Sequence, residues 1–263
     1  MLWEIDNTPH LILGSIHALP KDQRFPAWMR RVYFDTRRFV FEADATDQTI
    51  LEIGVDQTGQ HLQWPGTQDI YDRAKLLLHA IGKRERFDHL RPWRAAWFVS
   101  SALYSAALGV SPACGVESVF REHAKKHGLD VGYLEPPGRA FELFESCGEP
   151  YACLRLFQCL VADPRFATRE FSRILKAWIA ADIVEMAAIH RERMALFPKV
   201  FGSIITLRNR EWILPALQFV KDSTPTTFIV GALHTVGPDS FIEQLRSAGL
   251  QLTRIPPTPR SHH

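Results

Sequence analysis

Two similar stretches, one near each end of the chain, decide the fold: Leu13-Gly14-Ser15-Ile16-His17-Ala18-Leu19-Pro20 and Val230-Gly231-Ala232-Leu233-His234-Thr235-Val236-Gly237-Pro238. Each contains an apolar run, then Gly-x-x-His, then a proline within the next four residues. The apolar runs, 11–14 and 226–231, predict buried strands. Each histidine therefore follows the carboxyl end of a strand, which is where open α/β sheets bind their ligands.

A third predicted strand supplies a carboxylate. The run Arg38-Phe39-Val40-Phe41-Glu42 is apolar and ends at Glu42. Two neutral imidazoles and a carboxylate are natural ligands for a divalent metal, so His17, His234 and Glu42 are candidate ligands. From the residues alone, a shared metal site and two separate histidines that cap strand ends are equally supported.

Strands near both ends with helices between them predict one α/β domain over residues 1–263. We expect a central mixed sheet from the N- and C-terminal strands, within 1–60 and 200–255, and a largely helical middle lobe over 64–199. The helices predicted in the middle are 70–81, 95–108, 119–126, 141–144 and 169–196. The other predicted elements are a helix at 25–38, a short strand at 131–135, a helix at 204–220 that Pro215 interrupts, a helix at 238–248 and a strand at 250–254.

Composition excludes several protein classes. The 263 residues include 31 Lys and Arg against 29 Asp and Glu, and this balance gives no reason to expect nucleic acid as a partner. The 4 cysteines form no CxxC pair and suit a reducing compartment, and no secretory signal is visible, so we expect a cytoplasmic protein. The uncharged stretch 95–116 is diluted by serines, which favours a buried helix that ends before Pro112 over a membrane span.

A set of motifs, taken in order, resembles the TraB/PrgY/GumN family, which is related to the TIKI metalloproteases and, more distantly, to erythromycin esterase-like and ChaN-like proteins. The resemblance covers nearly the whole chain. The matching segments are Leu13-Gly14-Ser15-Ile16-His17, Phe41-Glu42-Ala43-Asp44, Pro92-Trp93, Gly115-Val116-Glu117, Leu134-Glu135, Trp178-Ile179-Ala180-Ala181-Asp182, Arg208-Asn209-Arg210-x-Trp212 and Gly231-Ala232-Leu233-His234.

The resemblance implies a metal-dependent hydrolase with a peptide or other small-molecule acyl substrate, since peptidase activity is known in the TIKI branch. His17, Glu42 and His234 would bind Mn²⁺, Co²⁺ or Zn²⁺, which would lower the pKa of a bound water toward about 7. The alternative class of function is a non-catalytic module that sequesters a small ligand, a metal or haem, or that regulates peptide signalling by capture. Oligomeric state is not readable from the sequence.

Four further residues are candidates for the chemistry. Glu117 or Glu135 is a further ligand or a general base, and Arg208 and Asn209 would stabilise an oxyanion. The competing interpretations are a carboxylate in the first turn of a helix for Glu117, a solvated loop carboxylate for Glu135 and an exposed basic helix face for Arg208.

Three positions depart from the family pattern. Ala181 replaces the usual glycine before Asp182, Glu117 stands where aspartate is common, and Pro136-Pro137 follows Glu135 where a polar residue is usual. These departures concern the middle region more than the paired histidines.

Overall fold

A six-stranded mixed sheet forms the centre of the molecule. The computed structural model describes residues 1–47, 52–56, 58–147 and 150–257. Its strands are β1 (Leu2–Ile5), β2 (Leu11–Ser15), β3 (Leu19–Pro20), β4 (Arg38–Phe41), β5 (Val110–Ser111), β6 (Asp130–Tyr133), β7 (Thr226–Gly231) and β8 (Leu252–Ile255). The sheet order is β6-β4-β7-β2-β1-β8, and β3 pairs separately with β5.

Four neighbouring strands, β6, β4, β7 and β2, run parallel to one another. Ser15 pairs with Gly231, and Phe41 pairs with both Ile229 and Tyr133, so the carboxyl ends of these strands reach the same edge of the sheet. β1 is antiparallel to both β2 and β8. The predicted α/β fold with a mixed central sheet is confirmed, except that β6 comes from the middle of the chain rather than from either end.

Helices surround the sheet and fill the middle region. They are α1 (Arg30–Asp35), α2 (Thr67–Ala80), α3 (Pro92–Leu108), α4 (Val116–His127), α5 (Arg139–Ser146), α6 (Pro150–Ala162), α7 (Pro164–Ile179), α8 (Ile183–Leu196), α9 (Pro198–Phe201), α10 (Arg208–Glu211), α11 (Ile213–Val220) and α12 (Phe241–Ser247). The sequence of α3 explains where this helix begins and ends. Proline occupies its first position, and Gly109 ends it with a left-handed φ of 62°.

The single helix predicted over 169–196 is wrong, because the chain breaks between α7 and α8. Ala181 adopts a left-handed φ of 52°, a conformation that favours glycine. The side chain of Asp182 then accepts hydrogen bonds from the backbone N–H groups of Val184 and Glu185 and caps α8. The predicted helix over 25–38 is also shorter, since α1 is preceded only by a 3₁₀ turn at Ala27–Met29.

The interruption predicted at Pro215 lies three residues earlier, at Trp212, between α10 and α11. Pro215 lies in the first turn of α11, where a missing backbone N–H costs little. A π-helical segment, Gly202–Leu207, leads into α10. Such segments are frequent at functional sites, and here the segment delivers Arg208.

Two large apolar clusters stabilise the two parts of the fold. The cluster on the sheet includes Phe228 of β7, Phe120 of α4 and Trp178 of α7. The second cluster joins α2, α3 and α6 through residues such as Tyr71 and Phe157. The middle region therefore has a core of its own beside the sheet.

The uncharged stretch forms a helix that ends at Leu108 before Pro112, as predicted, but only one face of α3 is buried, because Trp97, Ser101 and Ser105 are exposed. Within the described residues, no helix combines the length and the apolar character needed to cross a membrane. The two tryptophans of α3 differ in exposure. Trp93 is buried, whereas Trp97 is 58% exposed.

Replacing Trp178 with phenylalanine tests how strongly α7 supports the end of β2. Trp178 is fully buried, and its Nε1–H donates to the carbonyl oxygen of Gly14 at 2.8 Å. We expect W178F to lower the free energy of unfolding by about 2 kcal/mol, because a buried acceptor loses its donor. Urea denaturation measures the change. The exposed Trp97→Phe is the control and should change stability by less than about 0.5 kcal/mol; equal effects of the two variants would contradict this account.

Candidate active site

Each of the four parallel strands is followed by one candidate residue at the same edge of the sheet. His17 follows β2, His234 follows β7, Glu42 follows β4 and Glu135 follows β6. The order of the strands places the two glutamates on one side of Gly231 and His17 on the other.

The other three candidates reach this edge from helices. Glu117 lies in the first turn of α4, and Arg208 and Asn209 begin α10. Glu117 contacts His17, Arg208 contacts Glu42 and Glu135, and Asn209 contacts His234. The structure therefore brings all seven predicted residues into one connected site.

Gly231 marks the point where the candidate metal ligands converge. A Cβ atom added to Gly231 would lie 3.3 Å from Glu42 Oε1, 3.4 Å from His17 Nε2 and 3.4 Å from His234 Cδ2. Any two of these three atoms are therefore at most 6.8 Å apart. The backbone N–H of Gly231 also donates to Glu42 Oε1 at 2.6 Å. Gly231 has no side chain, so no Cβ atom lies among these three atoms.

Hydrogen bonding fixes the tautomer of His234. Asn209 Nδ2 donates to the carbonyl oxygen of Asp239 at 2.8 Å, which turns Asn209 Oδ1 toward His234 Nδ1 at 2.7 Å. An amide oxygen only accepts, so Nδ1 carries the proton and Nε2 keeps its lone pair. Nε2 lies 3.9 Å from Glu42 Oε1. Burial lowers the pKa of His234 to about 3, so the ring is neutral.

His17 is held in a similar way by Glu117. His17 Nδ1 donates to Glu117 Oε1 at 2.8 Å, and Ser15 Oγ donates to the same oxygen. The Glu117 carboxylate raises the pKa of His17 to about 9, so Nε2 must release a proton before it can bind a metal. The side chain of His17 is 69% exposed, and this makes it the open side of the site.

A buried guanidinium joins the two glutamates. Arg208 Nη2 donates to Glu42 Oε2 and to Glu135 Oε1, both at 2.6 Å, and Nε donates to Glu135 Oε2 at 3.0 Å. Burial by itself would raise the pKa of Glu42, but the charge of Arg208, acting together with the two histidines and the Gly231 N–H, outweighs burial and holds that pKa far below its usual range. Burial raises the pKa of Glu135, although its hydrogen bonds from Arg208 act in the opposite direction.

Two of the competing interpretations are wrong. Glu135 is not a solvated loop carboxylate, because it is buried and bonded to Arg208 and to Trp212 Nε1 at 2.7 Å. Arg208 is not part of an exposed basic face, since it is buried and stacks on the Trp212 ring at 4.7 Å. Glu117 does lie in the first turn of a helix, as its competing interpretation holds, and it also binds His17.

Sequence reasoning did not assign roles to Ser15 or Trp212. Ser15 donates to Glu117, and Trp212 donates to Glu135 and supports Arg208. Both lie inside quoted motifs, Gly-Ser-Ile-His and Arg-Asn-Arg-x-Trp. Their position next to the candidate residues in the sequence could have indicated that they belong to the site. The sequence does not show which glutamate each of them contacts.

The donor set fits a divalent metal in its chemistry. Each imidazole has an acceptor on Nδ1, the arrangement that orients metal-binding histidines in proteins, and His234 Nε2 lies 3.9 Å from Glu42 Oε1. As the described residues stand, however, no group of three or more His, Cys, Asp or Glu side chains is arranged to hold an ion. Arg208 Nη1 lies 3.4 Å from His234 Nε2, so the guanidinium occupies part of the space that an ion would need.

We compared the chain with known protein families, and the result supports the resemblance seen in its motifs. The model of the TraB/PrgY/gumN family matches residues 1–254. The chain belongs to this family. Searches of curated proteins and of solved structures gave no match. The family match covers both Gly-x-x-His motifs and the helical middle that supplies Glu117 and Glu135.

Two departures from the family pattern have a structural explanation. The left-handed φ of Ala181 shows why glycine is usual before Asp182 in this family. Pro136 follows Glu135 as the chain leaves the sheet, and its carbonyl oxygen accepts a hydrogen bond from the backbone N–H of Arg139 at the start of α5. Both departures are therefore compatible with the site.

Replacing Glu135 with glutamine tests the buried ion pair. Glutamine has nearly the same size, but it removes the charge that faces Arg208 and directs an N–H₂ group toward other donors. We expect E135Q to lower the free energy of unfolding by about 3 kcal/mol, as is usual when one partner of a buried pair is neutralised. The matched control is Glu142→Gln, whose exposed side chain pairs with Arg139 and should contribute less than about 1 kcal/mol. Urea denaturation measures the loss of stability in both variants. Similar losses in the two variants would contradict the role of Glu135 in a buried ion pair.

Proposed function

We propose that this protein is a divalent-metal-dependent hydrolase that cleaves a peptide or other acyl bond. The observation that carries the proposal is the convergence of two oriented imidazoles and the Glu42 carboxylate beside Gly231. Membership of the TraB/PrgY/gumN family agrees with it.

His17 Nε2, His234 Nε2 and Glu42 Oε1 are the atoms that would hold the ion, preferably Mn²⁺, Co²⁺ or Zn²⁺. A bound divalent ion would polarise the substrate carbonyl and lower the pKa of water. Glu117 and Asn209 keep the two rings in place through their Nδ1 atoms. Arg208 holds Glu42 ionised, which keeps its oxygens available as ligands.

Glu117 is the better candidate for the general base. Both oxygens of Glu135 already accept from Arg208, and one of them also accepts from Trp212. Glu117 Oε2 is buried and has no hydrogen-bond partner among the described residues. That oxygen is therefore the one we propose takes the proton from the attacking water.

Arg208 can also serve the proposed reaction directly through Nη1. The contacts of Nη1, to the Ile204 carbonyl oxygen at 3.3 Å and to His234 Nε2 at 3.4 Å, are long. Nε and Nη2 have shorter bonds to the glutamates. Nη1 is thus the nitrogen of Arg208 with the longest hydrogen bonds, and we propose that it stabilises an oxyanion.

Metal binding is the first test of the proposal. Protein purified with chelator and then dialysed is titrated with Mn²⁺, Co²⁺ and Zn²⁺ in a calorimeter. We expect one site per chain and at least a tenfold loss of affinity in His234→Ala, because one of the three ligands is removed. His79→Ala, an exposed position on α2, should bind as the unchanged protein does.

Gly231→Ala tests the position of the site without removing a ligand. Its backbone φ of −53° accepts alanine, but the methyl group would lie 3.3–3.4 Å from the converging atoms and occupy the space between them. We expect a folded protein with at least a tenfold loss of metal affinity. Gly202→Ala, where a Cβ meets nothing within 4 Å, is the matched control. Unchanged binding by G231A would show that the ion, if bound, lies elsewhere.

Turnover separates a hydrolase from a binding module. Panels of fluorogenic peptides and activated esters identify a cleaved probe, and chelation should abolish its hydrolysis while added metal restores it. Glu117→Gln should then lower kcat about 100-fold or more, since glutamine can still accept from His17 but cannot take a proton. A protein that binds metal or peptide and cleaves no probe in any metal form would support sequestration instead.

A further inference from the structure

Two cysteine side chains that have no role in the site described above lie against each other. Cys147 follows α5, and Cys153 lies in the first turns of α6. Their Sγ atoms are 3.6 Å apart. The Cys147 thiol also donates to the carbonyl oxygen of Phe144 at 3.2 Å, and the same oxygen lies 3.9 Å from Cys153 Sγ. A shared acceptor thus holds both sulfur atoms in one place.

We infer that Cys147 and Cys153 form an oxidation site that closes to a disulfide when the protein meets a peroxide. A disulfide has an S–S length of about 2.05 Å, so the sulfur atoms need to approach by only about 1.5 Å. The inference goes beyond the proposed hydrolase function and does not depend on it.

The burial of the two thiols assigns their roles. Cys147 is partly exposed, whereas Cys153 is buried, so Cys147 is the one that a peroxide in solvent can reach. The hydrogen bond with Cys147, followed by burial, raises the pKa of Cys153. Cys147 is therefore the attacking thiolate and Cys153 is the resolving thiol.

The reaction proceeds in two balanced steps. The Cys147 thiolate attacks one oxygen of hydrogen peroxide, the O–O bond breaks, and hydroxide leaves to give a sulfenic acid. The Cys153 sulfur then attacks the sulfenic sulfur, the S–O bond breaks, and water leaves with the thiol proton. Two thiols are oxidised to one disulfide, and one peroxide is reduced to two molecules of water.

A metal site is a weaker interpretation of the same pair. Thiolates bind Zn²⁺ or Cu⁺, but a structural site normally needs four ligands. Within the described residues, no third His, Cys, Asp or Glu completes such a group here. The neighbours of Cys153 are instead largely apolar, and they include Trp93 and Phe201.

The bridge would fasten α5 to α6 beneath a buried aromatic cluster. Phe144 stacks on Trp93 at a centroid distance of 5.3 Å. Cys153 packs in the same cluster as Phe201 and Ile205, which precede α10. The oxidised form should therefore resist thermal unfolding better than the reduced form.

Peptide mapping of the unmodified sequence tests the inference without any variant. The reduced protein is treated with hydrogen peroxide, its remaining thiols are alkylated, and it is digested with trypsin. Cys147 and Cys153 share one tryptic peptide, 140–155, which should lose two hydrogen masses and escape alkylation. A second cut with chymotrypsin, after Tyr151, should place the two cysteines on fragments that separate only after reduction.

Single variants identify the order of the two steps. In Cys153→Ser, dimedone should label a sulfenic acid at Cys147, and no bridge should form. In Cys147→Ser, Cys153 should stay reduced. Cys159→Ser is the control and should form the bridge as before. The inference is overturned if peptide 140–155 remains fully alkylated under conditions that oxidise Cys114, or if Cys153 pairs with Cys159.

Discussion

The site depends on one buried cation placed between two buried anions. Glu42 and Glu135 follow adjacent parallel strands, so their carboxylates emerge at the same edge and would repel each other without a counter-charge. The guanidinium of Arg208 reaches both with short hydrogen bonds. Desolvation makes such a group costly unless every donor and acceptor is satisfied. Trp212 meets part of this requirement, because it donates to Glu135 and stacks on Arg208. The ion pair also fastens the segment around α10 to the strand ends.

The same construction prepares the imidazoles for their proposed task. Asn209 neighbours Arg208 in the chain, and it fixes the tautomer of His234. Glu117, from α4, does the equivalent for His17. The position of each ring thus depends on a residue distant in sequence, and the cost of orienting the rings is met when the protein folds. The two rings are thus oriented before a ligand arrives, which lowers the cost of ordering them on binding, and an ion would still have to share the space beside His234 Nε2 with Arg208 Nη1.

The sequence was most informative where local patterns were enough. The apolar runs before Gly14, Glu42 and Gly231 predicted three strands that the structure confirms. Open α/β sheets bind ligands at the carboxyl ends of their strands, and this rule predicted that the residues following these three strands lie together. What could not be predicted depends on tertiary packing. Neighbouring arginines at 208 and 210 are typical of a solvated face, yet only the second is exposed. Residues two positions apart do not share a helix face, and the sequence alone does not tell which of the two faces packs against the sheet. The break at Ala181 was hidden because alanine stands where the backbone favours glycine.

Exposure divides the site into a closed and an open side. His234, Glu135 and Glu117 are buried, whereas the His17 side chain is 69% exposed. A ligand that enters from solvent therefore meets the His17 ring first, and the Glu117 carboxylate lies directly behind that ring. The cation lies at the opposite end of this path, since the Arg208 guanidinium is on the closed side. An acyl group that enters past His17 would point its carbonyl oxygen toward the cation and leave its reacting carbon near the carboxylate. The proposed hydrolysis needs both groups, a donor that stabilises the oxyanion and a base that accepts the proton of the attacking water.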